Sequence, residues 1–291
     1  MHIINTEHNT FFARYGYLKL ENFLDETQLH KLRVLYSNCN LGKTNGKMYS
    51  NFHDLSFEQN QAIQSDILDI CKDSVSRHLE DYKIIGASFI VKGFGSESDS
   101  RLHQDWSIVD EKTYNSLIVW IPLIDVDKNN GCLQVLPGSH KWFYTIRSSS
   151  VNSIFLKFNY KINPFLKAVS MKASEGALFN MKVFHGSKFN NSEQDRPAVT
   201  ITLIDKDAIY VHYLKDKQGD IKILDCTTLE KYRNSYNLYN GNESSEVNVL
   251  GVLTKAENYQ ITEKIFLKKL YKERLVFIFF KKLWYRFKSG N

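Results

Sequence analysis

The chain has 291 residues, of which 43% are hydrophobic, 13% aromatic and 24% charged, with a formal net charge of +6. This is the profile of a folded globular protein of one large or two small domains, and 14 Gly plus 4 Pro exclude a collagen-like or low-complexity chain. Cys39, Cys71, Cys132 and Cys226 are scattered without a CxxC pair, which excludes a disulfide scaffold and a cysteine zinc site and predicts reduced thiols in a cytoplasmic protein. The N-terminus lacks a basic region followed by an apolar run, so no secretory signal is expected. The uncharged run from Leu275 to Phe280 falls far short of the ~20 residues that span a bilayer. The charge is uneven: Lys264 to Lys288 holds nine basic residues against Glu273, a balance of +8 that leaves −2 for the rest of the chain. A nearly neutral body argues against nucleic-acid binding, which needs a basic face.

No internal repeat or Pro/Gly/Ser-rich linker interrupts the chain. Residues 1 to 80 read as mostly helical. Tyr17 to Phe23 alternates like a short strand. Asp25 then reads as a helix N-cap with Gln28 as its capping-box partner, and Leu29, Leu32 and Leu35 follow at helical spacing. A second helix is predicted from Gln61 to Glu80, with Ile63, Ile67, Ile70 and Val75 as its buried stripe. Residues 40 to 56 between them read as a surface loop. From Tyr82 the pattern becomes short strands at 84–92, 116–121, 132–136, 167–172, 177–180 and 198–204. Turn signals at Asn129-Asn130-Gly131, Pro137-Gly138-Ser139, Glu175-Gly176 and Asn190-Asn191 separate them. Ser116 to Ile121 is continuous enough to be buried on both faces. Many short strands with turns predict a sandwich or jelly roll, with the earlier helices packed outside it. Tyr210 to Leu224 reads as an edge hairpin through Gln218-Gly219-Asp220, and residues 235 to 260 as polar and irregular.

His103-Gln104-Asp105 places a His and an Asp two apart, and in an extended strand such residues point to one face. His185 follows several strands later. Two His and one carboxylate on one face of an iron leave three positions open, two for a 2-oxo acid and one for dioxygen. The His-x-Asp pair alone is a weak signal; a surface His and a turn Asp would look the same.

The surrounding text carries more. Leu102-His-Gln-Asp-Trp106, Val119-Trp-Ile-Pro-Leu123, Asn130-Gly-Cys-Leu-Gln-Val-Leu-Pro-Gly-Ser-His140, and Phe184-His-Gly-Ser187 through Asn191-Ser192 to Arg196 occur in one order and spacing. In these segments the sequence resembles the phytanoyl-CoA dioxygenase family of Fe(II)/2-oxoglutarate oxygenases, over roughly residues 14 to 206. The resemblance implies an iron triad of His103, Asp105 and His185. It implies that Arg196 and Ser187 hold the distal carboxylate of 2-oxoglutarate, and that Gln104 and Trp120 line the cofactor pocket. Lys92 ends a strand just before the iron motif and suits either a lysine facing the site or, as composition favours, a solvated strand-end lysine. His140 reads as a loop residue rather than a ligand. Trp106 suits either a substrate wall or core packing. Related halogenases carry a small residue where Asp105 stands, so its carboxylate favours hydroxylation, with desaturation, ring closure and epimerisation open to the same chemistry.

These readings together predict a mainly β fold with flanking helices. Its core is a double-stranded β-helix (cupin-like jelly roll) with a C-terminal amphipathic helix. Residues 1–206 form the expected oxygenase domain, with its β core at about 82–206. Residues 207–291 form an extension with a basic amphipathic helix at about 262–288. The expected activity is Fe(II)- and 2-oxoglutarate-dependent hydroxylation, by O2, of an unactivated C–H in a small-molecule or lipid-linked substrate, releasing succinate and CO2. The rivals are a catalytically silent membrane-associated binding protein on the same fold and a cupin metalloenzyme needing no 2-oxoglutarate. The helix at 264–288 suits either packing on the core or peripheral contact with an anionic membrane, at its cytoplasmic face.

Overall fold

Three capped helices open the chain. In the computed structural model, which describes residues 1–39, 41, 46–51, 55–95, 97–151, 162–228, 248–254 and 261–272, α1 (Thr6–Tyr15) starts at the Asn5 cap and stops at Gly16 in the left-handed region. The Asp25/Gln28 capping box opens α2 (Glu26–Asn38), as its sequence predicts. A second box, Ser56 with Gln59, opens α3 (Phe57–Ser76) four residues earlier than the apolar stripe suggests. Helix α4 covers residues 263–272.

The strands in chain order are β1 (His2–Ile3), β2 (Tyr17–Leu20), β3 (Met48–Ser50), β4 (Leu79–Glu80), β5 (Tyr82–Lys92), β6 (Ser100–His103), β7 (Ser116–Pro122) and β8 (Leu133–Val135). After them come β9 (Lys167–Val169), β10 (Gly176–Asn180), β11 (His185–Ser187), β12 (Arg196–Asp205), β13 (Val211–Lys215), β14 (Ile221–Asp225) and β15 (Val249–Leu253). A six-stranded sheet runs β2-β10-β7-β12-β5-β3 and a four-stranded sheet β6-β11-β8-β9. Every pairing in them is antiparallel.

Alternation along the six-stranded sheet assigns its two faces. Leu117, Val119, Ile121, Leu178, Val199, Ile201 and Phe89 pack outward, under Leu29 and Leu32 of α2 and Ile63, Ile67 and Val75 of α3. Ile118, Trp120, Ala177, Phe179 and Ala198 point inward and meet Leu133, Val135 and Val169 of the four-stranded sheet. The two sheets thus face each other as a cupin-like jelly roll, with helices covering one outer face. Burial of all seven residues of β7 follows from this sandwiching.

Several sequence expectations change. The loop at 40–56 contains β3, which extends the large sheet beside β5. Asn51 after it is fully buried, donating to Asn60 and accepting from the Phe89 backbone N–H. Residues 249–253, expected to be irregular, form β15 and complete a three-stranded sheet with the predicted β13–β14 hairpin. Residues 229–247, 255–260 and 273–291 lie outside the described residues, and with them most of the predicted basic helix. In its described part, Phe266 and Leu270 of α4 are buried against Trp142 and Phe184, which supports packing on the core for these turns. All four cysteines are free thiols, as expected. Among the described residues no helix is long and apolar enough to cross a membrane.

Candidate active site

Strand β6 ends at His103, and β11 lies antiparallel beside it with His185 directly opposite. Their ring centroids are 4.3 Å apart. The approach is close because Gly186 has no side chain: a Cβ there would sit 2.7 Å from the Ser100 carbonyl oxygen. Asp105 lies beyond the strand end, where its backbone N–H donates to the Met181 carbonyl. One carboxylate oxygen of Asp105, Oδ1, is 3.7 Å from Nε2 of each histidine. The ligand atoms of the three residues lie within 4.8 Å of one another, and this is the cluster of such side chains found among the described residues.

Both imidazoles are oriented from behind. Nδ1 of His103 is 2.7 Å from the Arg101 carbonyl oxygen and Nδ1 of His185 is 3.0 Å from that of Val183. A carbonyl only accepts, so each Nδ1 carries the proton and each Nε2 turns a lone pair toward Asp105. Burial pushes the His185 pKa down to about 4, leaving it neutral at ordinary pH. Burial also works against a charged His103, but Asp105 outweighs it and raises the pKa. Asp105 is held below its ordinary value: burial opposes its charge, and His185, His103 and Arg147 overcome that opposition.

The cluster forms one end of a cavity of about 170 Å³ lined also by Ser187, Trp120, Arg196 and Thr200, with apolar walls from Ile90, Ile118, Leu133 and Phe179. Arg196 is 2% exposed, and its Nε and Nη1 have no hydrogen-bond partner. Its guanidinium lies over the Trp120 ring, 4.9 Å from the centroid. Burial lowers its pKa to about 10, so it remains a cation. A desolvated guanidinium with two idle donors is a binding site for an anion.

The structure therefore brings six of the seven sequence-derived residues to one cavity: His103, Asp105, His185, Arg196, Ser187 and Trp120. Gln104 is buried beside it, and its amide donates to the Lys182 carbonyl rather than lining the cavity. His140 sits in a short 3₁₀ turn away from the cluster, as expected of a loop residue.

Lys92 is a correction. It is fully buried, opposite Arg196 across β5 and β12, and its ammonium donates to the Ser98 carbonyl. Burial, then the Arg196 charge, pushes its pKa down to about 7. Alternation was the signal that could have found it: Ser88 and Ile90 on the same strand also face inward, and Ser88 pairs with Thr200 at 2.9 Å. Arg147 and Glu111 were missed altogether. They pair in the interior behind Asp105, and their separation of 36 residues leaves no local signature.

The donor set fits a divalent iron. Metal–ligand bonds of about 2.0–2.2 Å bring such donors within ~4.4 Å of one another, which both 3.7 Å His–Asp separations satisfy. Two imidazoles and one carboxylate are the set that binds non-haem Fe(II) with open positions. The Oδ2 atom of Asp105 is buried without a partner, a polar atom a cation would satisfy. The idle Arg196 donors suit the far carboxylate of a 2-oxo diacid.

The bovine peroxisomal phytanoyl-CoA dioxygenase is 30% identical over 128 residues, covering 42% of this chain and 38% of that protein. A Dictyostelium discoideum phytanoyl-CoA dioxygenase domain-containing protein 1 homolog is 30% identical over 133 residues, covering 42% of this chain and 46% of that protein. The chain thus spans well under two thirds of these relatives. Among solved structures, the alpha-ketoglutarate-dependent carbocyclase SnoK from nogalamycin biosynthesis superposes with a TM-score of 0.53 at 18% identity, covering 71% of this chain and 86% of that one. EvdO2 from Micromonospora carbonacea var. aurantiaca, complexed with 2-oxoglutarate, gives 0.50 at 16% identity, covering 70% and 94%. At such identities these two show the shared fold. The model of the family described as "Phytanoyl-CoA dioxygenase (PhyH)" matches residues 12–198, most of the chain, and the protein belongs to the phytanoyl-CoA dioxygenase family.

Proposed function

We propose that this protein is an Fe(II)- and 2-oxoglutarate-dependent dioxygenase that hydroxylates an unactivated C–H of a small molecule. One observation carries the reading. A His-Asp-His donor cluster and a buried arginine with idle donors share one cavity. In the reaction 2-oxoglutarate, O2 and R–H become succinate, CO2 and R–OH. Iron, when bound, supplies the redox chemistry, and the protein supplies geometry and exclusion of water. His103, Asp105 and His185 would hold the metal, the histidines through the Nε2 atoms that their Nδ1 tethers leave free. Arg196 and Ser187 take the distal carboxylate, and Trp120 fixes the plane of the guanidinium. The apolar walls keep bulk water from the cavity. Residues 1–206 carry this chemistry, and 207–291 form an extension.

The test is anaerobic. Apoprotein with Fe(II) and then 2-oxoglutarate is expected to develop a visible metal-to-ligand charge-transfer band, absent in His103→Ala. A folded, iron-loaded protein without the band overturns the 2-oxoglutarate reading and favours a cupin metalloenzyme of another kind.

A second reading concerns the tail. Lys264, Lys268 and Lys272 are exposed on α4 beside exposed Ile265 and Tyr271, and the sequence beyond is basic and aromatic. These features suit peripheral contact with an anionic membrane and a lipid-linked substrate. Equal sedimentation of the full chain and of a chain ending at residue 272 with phosphatidylserine vesicles would end it.

A further inference from the structure

The His103 ligand ends a strand, but no ladder reaches Asp105, so something else must hold the carboxylate in place. Its peptide is tied at both sides: the N–H donates to the Met181 carbonyl, and the carbonyl accepts from Nε of Arg147 at 2.7 Å. Arg147 is 1% exposed and spends its other donors on the Thr145 carbonyl and on both oxygens of Glu111, at 3.0 and 2.6 Å. The segment is laced further: the Ser107 N–H donates to the Arg147 carbonyl, and the Arg147 N–H donates to Ser107 Oγ. Glu111 is 5% exposed, and its own backbone carbonyl accepts from Lys182 Nζ at 3.5 Å. The Tyr213 hydroxyl, from β13, donates to the Val109 carbonyl between them.

A buried ion pair of this kind is seldom a net source of stability, because an apolar pair of similar volume often does as well or better. What apolar residues cannot do is donate to the Asp105 carbonyl. We infer that Glu111 and Arg147 are positioning residues: Glu111 fixes the guanidinium, and the guanidinium fixes the backbone of the carboxylate ligand. The inference rests on the metal-site reading above and extends it to a pair that lies outside the cavity. The pair also links the ligand to the 143–151 segment, whose Ile146 and Val151 pack on β13 and β14.

The probe is Co(II) bound by apoprotein, followed by its visible absorption and by titration calorimetry, with thermal melting of each apoprotein alongside. The double variant Glu111→Leu/Arg147→Met keeps the interior filled without leaving a lone charge. It is expected to melt near wild type yet bind Co(II) roughly 10- to 100-fold more weakly, the usual penalty for losing an outer-shell partner. Arg147→Lys keeps the charge beside Glu111 but loses the Nε–H bond to the Asp105 carbonyl together with the fork on Glu111, and serves if the double variant does not fold; it is expected to show the same loss. A cycle with Asp105→Ala separates positioning from general loosening. In that background, where two histidines still bind Co(II) weakly, changing Arg147 to Lys is expected to cost less than twofold. Wild-type affinity in either folded variant, or an equal penalty with and without the Asp105 carboxylate, overturns the positioning role. A wild-type protein that binds no Co(II) at all overturns the metal reading itself, and this inference with it.

Discussion

At one end of the cavity, His103 and His185 stand on strands of 4 and 3 residues, and Asp105 on no strand at all. Elsewhere on its lining stands Arg196, with Lys92 opposite it across the ladder between the 10-residue β12 and the 11-residue β5, buried but not itself lining the cavity. The first region collects lone pairs and a negative charge. The second collects positive charge with too few acceptors. The small sheet sets its histidines opposite each other and holds the ligands by individual tethers, the imidazoles donating to backbone carbonyls and Arg147 donating to the Asp105 carbonyl, whereas the large sheet sets its cations opposite each other along one long ladder. The difference teaches which changes each region tolerates: the donor cluster depends on single side-chain and backbone tethers, while the anion region depends on the sheet and can lose a side chain without losing its shape.

Removing a ligand is the sharpest way to break the comparison. His185→Ala takes away one of three donors and leaves the Val183 carbonyl without its imidazole. Co(II) affinity is expected to fall by more than the roughly 100-fold that marks outer-shell changes, while the binding of 2-oxoglutarate becomes undetectable by charge transfer. The apoprotein is expected to lose some thermal stability as well, because the imidazole is buried against Phe179 and its removal leaves a cavity, so melting of the variant accompanies the titration. A His185→Ala protein that binds Co(II) like wild type would show that the donor cluster is a coincidence of the fold.

In the second region, Arg196→Ala leaves the donor cluster untouched. Metal binding should stay within about twofold of wild type, and 2-oxoglutarate affinity should drop by about 2–5 kcal/mol, the cost of truncating one partner of a buried charged pair. The same variant should discriminate less between 2-oxoglutarate and a 2-oxo monoacid, because only the distal carboxylate distinguishes them. Titration of the two acids against the Fe(II)-loaded variant measures both effects, and an unchanged preference would place the distal carboxylate elsewhere.

The two regions also differed in how far the sequence revealed them. His103, Asp105, His185 and Arg196 lie in short segments whose residue types and spacing survive as text, and the capping box at Asp25 and the continuous run of β7 were equally plain. What the text hid was set by long-range register. Strands β6 and β11 are too short to show alternation, so the opposition of His103 and His185 was invisible before the fold. Lys92 looked like a strand-end lysine because its burial comes from Arg196, Gly131 and Ser98, which its own segment does not announce. Strand β3 was lost in a polar loop whose Asn51 is buried only because Asn60 and the Phe89 backbone satisfy it. Arg147 and Glu111, set in segments without a periodic pattern, meet only when the sheets close.

Lys92 offers the finest test of the cationic region, through pH. Its pKa is about 7 in the folded protein against 10.5 for an ordinary lysine. Between these values the unfolded chain holds a proton that the folded protein has released, so the lysine's contribution to stability rises with pH across that window. Below pH 7 both states are protonated and the full cost of burying the charge is present, on the order of a few kcal/mol. Lys92→Met removes the charge at similar length. The variant should therefore exceed wild type in melting temperature by several degrees at pH 6, and the gap should narrow steadily as pH is raised from 7 to 9. Tyrosines and cysteines that titrate at higher pH are common to both proteins and cancel in the difference. A gap that stays constant with pH would mean that Lys92 keeps its proton in the folded state, held by Ser98 more firmly than burial and Arg196 oppose it, and that the anion region carries two permanent cations.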